Sequence, residues 1–148
     1  MNHQICQKAK YVMIVGMACV IFFVAPLYAA SKPTETDRID ADYNSCLSKA
    51  DGVTSNIRDC TSKAYPSMDK RLNQLFKTLM GKLPANNKEL LKNAQKKWLA
   101  FRDAEKELSL ELDPEKGGTM QMINADSFAY EMLKKRVKDL EGYLAGLD

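Results

Sequence analysis

Histidine is almost absent from this chain of 148 residues, and the one histidine, His3, lies just before an apolar N-terminal run. Beyond that run no imidazole is available to carry a proton, which excludes serine–histidine–aspartate and cysteine–histidine catalysis. A glycine-rich loop that ends in Lys-Ser or Lys-Thr is lacking too, so a P-loop nucleotide site is excluded. Strand-like alternation of apolar and polar residues is also missing. We therefore expect a helical protein that is not an enzyme and that holds no cofactor and no metal ion.

Closely spaced carboxylates are the remaining candidates for catalysis. Glu105 and Glu107 lie two residues apart, as do Glu111 and Asp113. General acid–base catalysis needs carboxyl groups whose surroundings tune their pKa values, whereas these four lie on a charged helix face. We interpret them as solvated surface groups.

The N-terminus has the layout of a secretory signal peptide. Lysines precede an apolar run over residues 11–28, and the run ends in Ala29 and Ala30. We predict cleavage after one of these alanines, which assigns residues 1–29 to the signal peptide. One alternative is an uncleaved anchor, because the run approaches the length that spans a bilayer. Another is lipid attachment at Cys19, which is disfavoured because apolar residues continue after it.

Removal of this segment changes the charge and the cysteine count. The chain has 22 Lys+Arg and 19 Asp+Glu, and loss of Lys8 and Lys10 leaves 20 and 19, a net charge of +1. Such a protein has no field that attracts nucleic acid or an anionic membrane surface. The remaining cysteines, Cys46 and Cys60, predict a disulfide in an oxidising compartment. A metal site is the alternative, but no histidine is left to complete it.

Apolar residues recur every three or four positions through most of the chain, which predicts helices. We expect Pro66 to kink or restart one of them, because proline removes a hydrogen bond and clashes with the preceding turn. The predicted helices cover residues 42–49, 54–64, 67–83, 88–112 and 119–144. The predicted fold is all-α: a small bundle of two long antiparallel helices with a disulfide-bridged N-terminal helical segment. It forms a domain over residues 42–148 behind a flexible leader at 30–41.

The helix at 88–112 contains the only tryptophan, Trp98. Its 3.6-residue period predicts an inward stripe made of Leu91, Ala94, Trp98, Phe101, Leu108 and Leu112. A polar set, Asp69, Asn73, Gln95, Arg102 and Asp103, is expected to meet near the Trp98 ring. It forms either a binding pocket or a structural network. We favour the network, because buried polar groups need partners.

These residues resemble a known family. The string Leu91-x-x-Ala94-Gln95-x-x-Trp98-x-x-Phe101-Arg102-Asp103 is similar to the signature of the lysozyme inhibitor LprI-type N-terminal domain family. Further similar segments are Asp69-x-x-Leu72-Asn73, Gly117-Gly118-Thr119 and Arg136-x-x-x-Leu140, so the likeness covers about residues 43–140. The family often has a second cysteine pair near the Arg-Asp step and in the last helix, and this chain lacks it.

The resemblance implies a periplasmic or secreted helical protein whose partner is a lysozyme-like muramidase. The small net charge adds the expectation that it binds no nucleic acid and, after signal cleavage, no membrane. The signature residues are expected to support the fold rather than touch the partner. For the partner we select an interhelical loop able to enter a glycan cleft: Glu115, Lys116, Gly117, Gly118 and Thr119. The alternatives are an envelope structural or stress module that binds another envelope protein, and an immunity protein against a peptidoglycan-hydrolase toxin.

Overall fold

A computed structural model describes residues 32–147, so the predictions on the signal peptide, its cleavage and Cys19 lie outside the described residues. Within this range the chain forms four helices and no strand. They are α1 (Glu35–Ser48), α2 (Thr54–Lys82), α3 (Ala85–Glu111) and α4 (Thr119–Ala145). The predicted all-α fold is confirmed. Among residues 32–147, no helix combines the length and hydrophobicity needed to cross a bilayer.

Helix α1 begins earlier than expected, inside the segment predicted to be a flexible leader. Thr34 and Asp37 form a capping box, in which the Asp37 amide donates to Thr34 Oγ1 (3.1 Å) and the Thr34 amide donates to Asp37 Oδ2 (3.0 Å). Thr36 is fully buried and donates its hydroxyl to Glu141 in α4 (2.6 Å). Ile39 packs against the core. The second half of the leader is therefore part of the folded domain.

Helix α2 runs unbroken through Pro66, so of the kink or restart expected there the restart does not occur. Helix α2 is therefore a third long helix beside α3 and α4. One buried face continues on both sides of the proline, with Ala64 before it and Met68 after it. Pro66 itself is exposed. Tertiary packing of the apolar face thus outweighs the single hydrogen bond that proline removes.

Helices α2 and α4 form the centre of the bundle and run parallel. Arg58 pairs with Asp126 near the start of both helices (2.8 Å), and Arg71 pairs with Glu141 farther along (2.8 Å). Helices α1 and α3 run antiparallel to this pair and do not contact each other. The core lies mainly between α2 and α4 and is made of Met68, Leu72, Leu75, Leu79, Tyr130, Leu133, Val137 and Leu140.

Helix α1 is fastened to this core by a disulfide and by aromatic packing. Cys46 and Cys60 are bonded, with their Cα atoms 5.7 Å apart, which confirms the predicted bridge. The ring centroids of Tyr43 and Tyr130 lie 4.2 Å apart, and the Tyr43 hydroxyl is hydrogen-bonded to Thr61 Oγ1 (3.1 Å). These contacts hold α1 against both central helices.

Helix α3 is rotated from the predicted orientation, so only part of the expected inward stripe meets the core. Leu91 is its one buried residue, and Trp98 is partly buried. The other members of the expected inward stripe are exposed: Ala94, Phe101, Leu108 and Leu112. The helix turns Gln95 and Arg102 toward the bundle instead, since both are partly buried. A largely apolar stripe is therefore left on the surface.

Candidate functional site

The side chains around Trp98 form a polar cluster between α3 and α4. Arg136 is 6% exposed, and its Nε donates to Gln95 Oε1 (3.0 Å). Its guanidinium carbon lies 5.9 Å from the Trp98 ring centroid, and that of Arg102 lies 5.5 Å from the same centroid. Arg102 also pairs with the adjacent Asp103 through Nε (2.9 Å) and Nη2 (2.7 Å). Both guanidinium groups thus lie within cation–π distance of the same indole ring.

The predicted contact of Gln95 and Arg102 with Asp69 and Asn73 does not form. Asn73 Nδ2 donates to the Asp69 carbonyl (2.9 Å) and to Asp69 Oδ2 (3.1 Å), a pair closed within α2. Helix α3 packs mainly against α4 and less against α2, so its polar side chains contact Arg136 instead. The polar side chains near Trp98 thus meet around Arg136 and not around Asp69 and Asn73.

A groove lies where the first half of α2, the second half of α3 and the first half of α4 diverge. We call it the three-helix groove; its volume is about 730 Å³. Its charged and aromatic lining consists of Arg58, Asp59, Tyr65, Arg102, Asp103, Lys106, Asp126 and Phe128. The sequence alone did not reveal this groove, because its residues come from three separate helices and share no local pattern.

The charges of the groove are balanced and partly paired. Arg58 binds Asp126 (2.8 Å) and also donates to Met122 Sδ (3.4 Å). Within residues 32–147, Lys106 and Asp59 line the groove without an ion pair. The groove therefore offers one cation and one anion to a partner, beside aromatic surface. No cluster of ligating side chains suited to a metal ion occurs among the residues described.

The loop selected as the partner-binding segment lies at the same end of the bundle as the groove. Its residues 115–119 are all exposed. Gly117 has a positive φ of 84°, a conformation that favours glycine, and its amide donates to Gln121 Oε1 (2.9 Å). Gln121 in turn donates to the Leu110 carbonyl (2.8 Å). These bonds give the loop a defined backbone despite the missing second disulfide.

Large apolar side chains are exposed at the same end of the bundle as this loop. Leu112 is 70% exposed, Met122 50%, and Met120 and Val53 47% each. We call the three-helix groove, the loop and these side chains together the groove end. Exposed apolar groups beside a polar groove are typical of a surface that binds another macromolecule.

A second polar cluster lies away from the groove end, between α1 and α4. Lys134 Nζ donates to Asp40 (3.0 Å) and Glu131 (2.6 Å), and the Tyr130 hydroxyl donates to Asp40 (3.3 Å). Burial, and then the charge of Asp40, raises the pKa of Tyr130 well above its ordinary value. Burial lowers the pKa of Lys134, but the hydrogen bonds to Glu131 and Asp40 outweigh it and raise the pKa above its ordinary value. The cluster fastens α1 to α4.

Comparison with known proteins identifies one family. The family model described as "Lysozyme inhibitor LprI" matches residues 46–140, from the disulfide through most of α4. An uncharacterized protein of Rhizobium meliloti (strain 1021) is 24% identical over 129 residues, a match that covers 78% of this chain and 87% of that protein. No solved structure matches the chain significantly.

Proposed function

The chain belongs to the lysozyme inhibitor LprI family, and from this membership we propose that it is a secreted periplasmic protein that binds and inhibits a lysozyme or a related peptidoglycan-cleaving enzyme. The observation that carries the proposal is the extent of the family match. Residues 46–140 include the disulfide, the Trp98 cluster and the loop of the groove end. The proposal assigns no catalytic group to the chain.

The groove end is the surface that we assign to the partner. A muramidase holds its substrate in a cleft, and an inhibitor has to place a protruding element across or into that cleft. The segment at 115–119 is exposed where the chain passes from α3 to α4, and Leu112 and Met120 flank it as exposed apolar residues. Exposed apolar anchors within a polar rim are the usual centre of a binding surface.

Carboxylates around the loop add a local charge that the net charge does not reveal. Glu107, Glu111, Asp113 and Glu115 lie within nine consecutive positions. Lys116 neutralises Glu111, and Asp113 accepts hydrogen bonds from Asn124 and the Glu115 amide. The Glu107 and Glu115 side chains have no ion pair among the described residues. Complementary charge of this kind would guide a basic muramidase to the groove end.

Location outside the cytoplasm is part of the proposal. The disulfide supports it, because such bonds persist in oxidising compartments and are rare in the cytosol. The signal-peptide pattern of residues 1–29 supports it independently from the sequence. Detection of the processed chain in the periplasmic fraction, with its N-terminus at residue 30 or 31, tests this step.

The activity is tested with the protein purified as the cell processes it. We expect it to slow the clearing of a peptidoglycan suspension by at least one class of lysozyme, in proportion to its molar excess. The variant Leu112→Ser/Met120→Ser should weaken inhibition by about tenfold or more, the effect of removing interface anchors. The matched control is Tyr143→Ser, which removes an equally exposed apolar residue near the far end of α4. It should inhibit like the unaltered protein.

Two results would contradict different parts of the proposal. Absence of inhibition toward every lysozyme class at molar excess would reject the inhibitory function. If the Leu112→Ser/Met120→Ser protein inhibits as well as the unaltered protein, the groove end is not the binding surface. The inhibitory function would then still stand.

A further inference from the structure

Helix α3 exposes an unusual amount of apolar surface for a helix within a bundle. It buries one residue, Leu91, although it spans 27 residues. Leu90 is 67% exposed, Phe101 54% and Leu108 51%. Among the described residues, none of these three side chains is part of the core.

The exposed residues follow the spacing of a helix that packs along another helix. Leu90, Ala94, Phe101, Ala104 and Leu108 are all exposed and follow one another at intervals of four, seven, three and four. We call these five residues the α3 stripe. With position 97 counted, the intervals are four, three, four, three and four, which keeps these side chains on one seam along the helix. Lys97 falls in the gap of the seam, where its apolar stem can pack while its ammonium reaches water or a carboxylate.

Charge is divided unequally along the same helix. The first half of α3, residues 85–97, carries four lysines and one glutamate. The second half, residues 98–111, carries one arginine, one lysine, one aspartate and three glutamates. One half is therefore basic and the other acidic. A second α3 laid antiparallel would place the basic half of each copy on the acidic half of the other.

We propose that two copies of this chain associate through the α3 stripe, antiparallel and around a twofold axis near the middle of α3. Leu90 of each copy packs beside Leu108 of the other, and the two Phe101 side chains lie close to the axis. The stripe is complementary to itself only in this direction, because a parallel pair would set basic half on basic half. Lys97 in the seam keeps the association modest, with a dissociation constant on the order of micromolar.

Sedimentation velocity over a range of concentrations tests the association. The naturally processed protein should change from monomer to dimer as its concentration rises, and added salt should weaken the dimer because it screens the charges. Phe101→Ser should raise the dimer dissociation constant by about tenfold or more. The control is Leu99→Ser, on the same helix but outside the stripe, which should change it by less than about twofold. Both variants should keep the helical circular dichroism, since neither residue is buried.

Crosslinking tests the direction. Leu90 and Leu108 of one copy are separated by about 27 Å along the helix, whereas across an antiparallel pair they are about 10 Å apart. An equimolar mixture of Leu90→Cys and Leu108→Cys proteins should therefore give a crosslinked dimer with a short bismaleimide, and either protein alone should not. A crosslink in Leu90→Cys alone would overturn the antiparallel arrangement. A protein that stays monomeric at every concentration would overturn the association, and another molecule would then have to cover the stripe.

This proposal does not depend on the muramidase target. Loss of the dimer in Phe101→Ser with unchanged inhibition would separate the two surfaces. Inhibition without any dimer would reject this inference and leave the proposed function standing.

Discussion

Reduction of the Cys46–Cys60 bridge should lower the stability of the domain by an amount that the loop length sets. The bond closes a loop with a sequence separation of 14 residues. In the chain-entropy model, opening a loop of this length lowers the free energy of unfolding by about 3 kcal/mol. The folded range, residues 32–147, contains 116 residues. At ~2.1 cal/mol/K per residue, the entropy of unfolding of this range is about 0.24 kcal/mol/K. Dividing the lost free energy of unfolding by this entropy gives a fall in Tm of roughly 12 °C.

The assay is urea denaturation of the unaltered protein with and without a thiol reductant. Reduction is a cleaner change than substitution, because Cys60 is 3% exposed and its replacement would also disturb packing. Trp98 is the sole tryptophan and lies on α3, so its fluorescence follows the bundle and not α1 directly. Far-ultraviolet circular dichroism follows all four helices. The Cys46→Ser/Cys60→Ser protein is the control, and reductant should leave its midpoint unchanged.

Two outcomes would refute this reasoning in different ways. Equal stability of the reduced and oxidised protein would mean that the other contacts of α1 already restrict the chain as much as the bond does. Those contacts include the Thr36–Glu141 hydrogen bond and the packing of Tyr43 on Tyr130. A loss of helical signal before the Trp98 transition would show that reduction releases α1 alone, and the two-state calculation would then not apply.

Two further predictions concern charged side chains. The folded-state pKa values of Tyr130 and Lys134 are both raised, so the folded state binds more protons than the unfolded state at alkaline pH. The stability that these two groups contribute should therefore be fully present below about pH 10 and be lost as the pH rises further. In Tyr130→Phe, the urea midpoint should depend less on pH over this range. A urea midpoint of the unaltered protein that does not change with alkaline pH would contradict this prediction. Arg136→Lys should lower stability by about 1–2 kcal/mol in urea denaturation, because an ammonium replaces neither the planar group over Trp98 nor the Nε bond to Gln95. An unchanged midpoint would show that the guanidinium makes no net contribution.

The elements that were predictable from sequence are those in which local pattern and tertiary structure agree. The strong three- and four-residue spacing of α4 placed that helix close to its observed range, Thr119–Ala145. The disulfide was predictable because only two cysteines lie beyond the N-terminal segment. Pro66 failed as a boundary, because a local hydrogen bond lost at one exposed position is small beside a buried face that continues from Ala64 to Met68.

The start of α1 failed for another reason. A single apolar residue, Ile39, gave too little periodicity to indicate a helix between residues 35 and 41. The capping box of Thr34 and Asp37 was the available signal, since a threonine followed three residues later by an acidic residue marks a helix start. The burial of Thr36 could not be predicted from a local pattern, because its hydrogen-bond acceptor, Glu141, lies 105 positions away in the chain. Long-range partners of this kind also hid the three-helix groove.

The orientation of α3 depends on the side chains of α4 that it packs against. It separates Phe101 from Gln95 and Trp98, although all three belong to the string that resembles the family signature. Sequence periodicity places Phe101 with Trp98, yet periodicity cannot say which edge of an apolar stripe meets the core. Arg136 is buried in α4 and its Nε donates a hydrogen bond to Gln95 Oε1, whereas its Nη2 has no hydrogen-bond partner among the described residues. This bond turns Gln95 and Trp98 inward and leaves Phe101 54% exposed. Packing and hydrogen bonding within the bundle therefore account for Gln95 and Trp98 but not for Phe101, which belongs to the proposed α3 stripe.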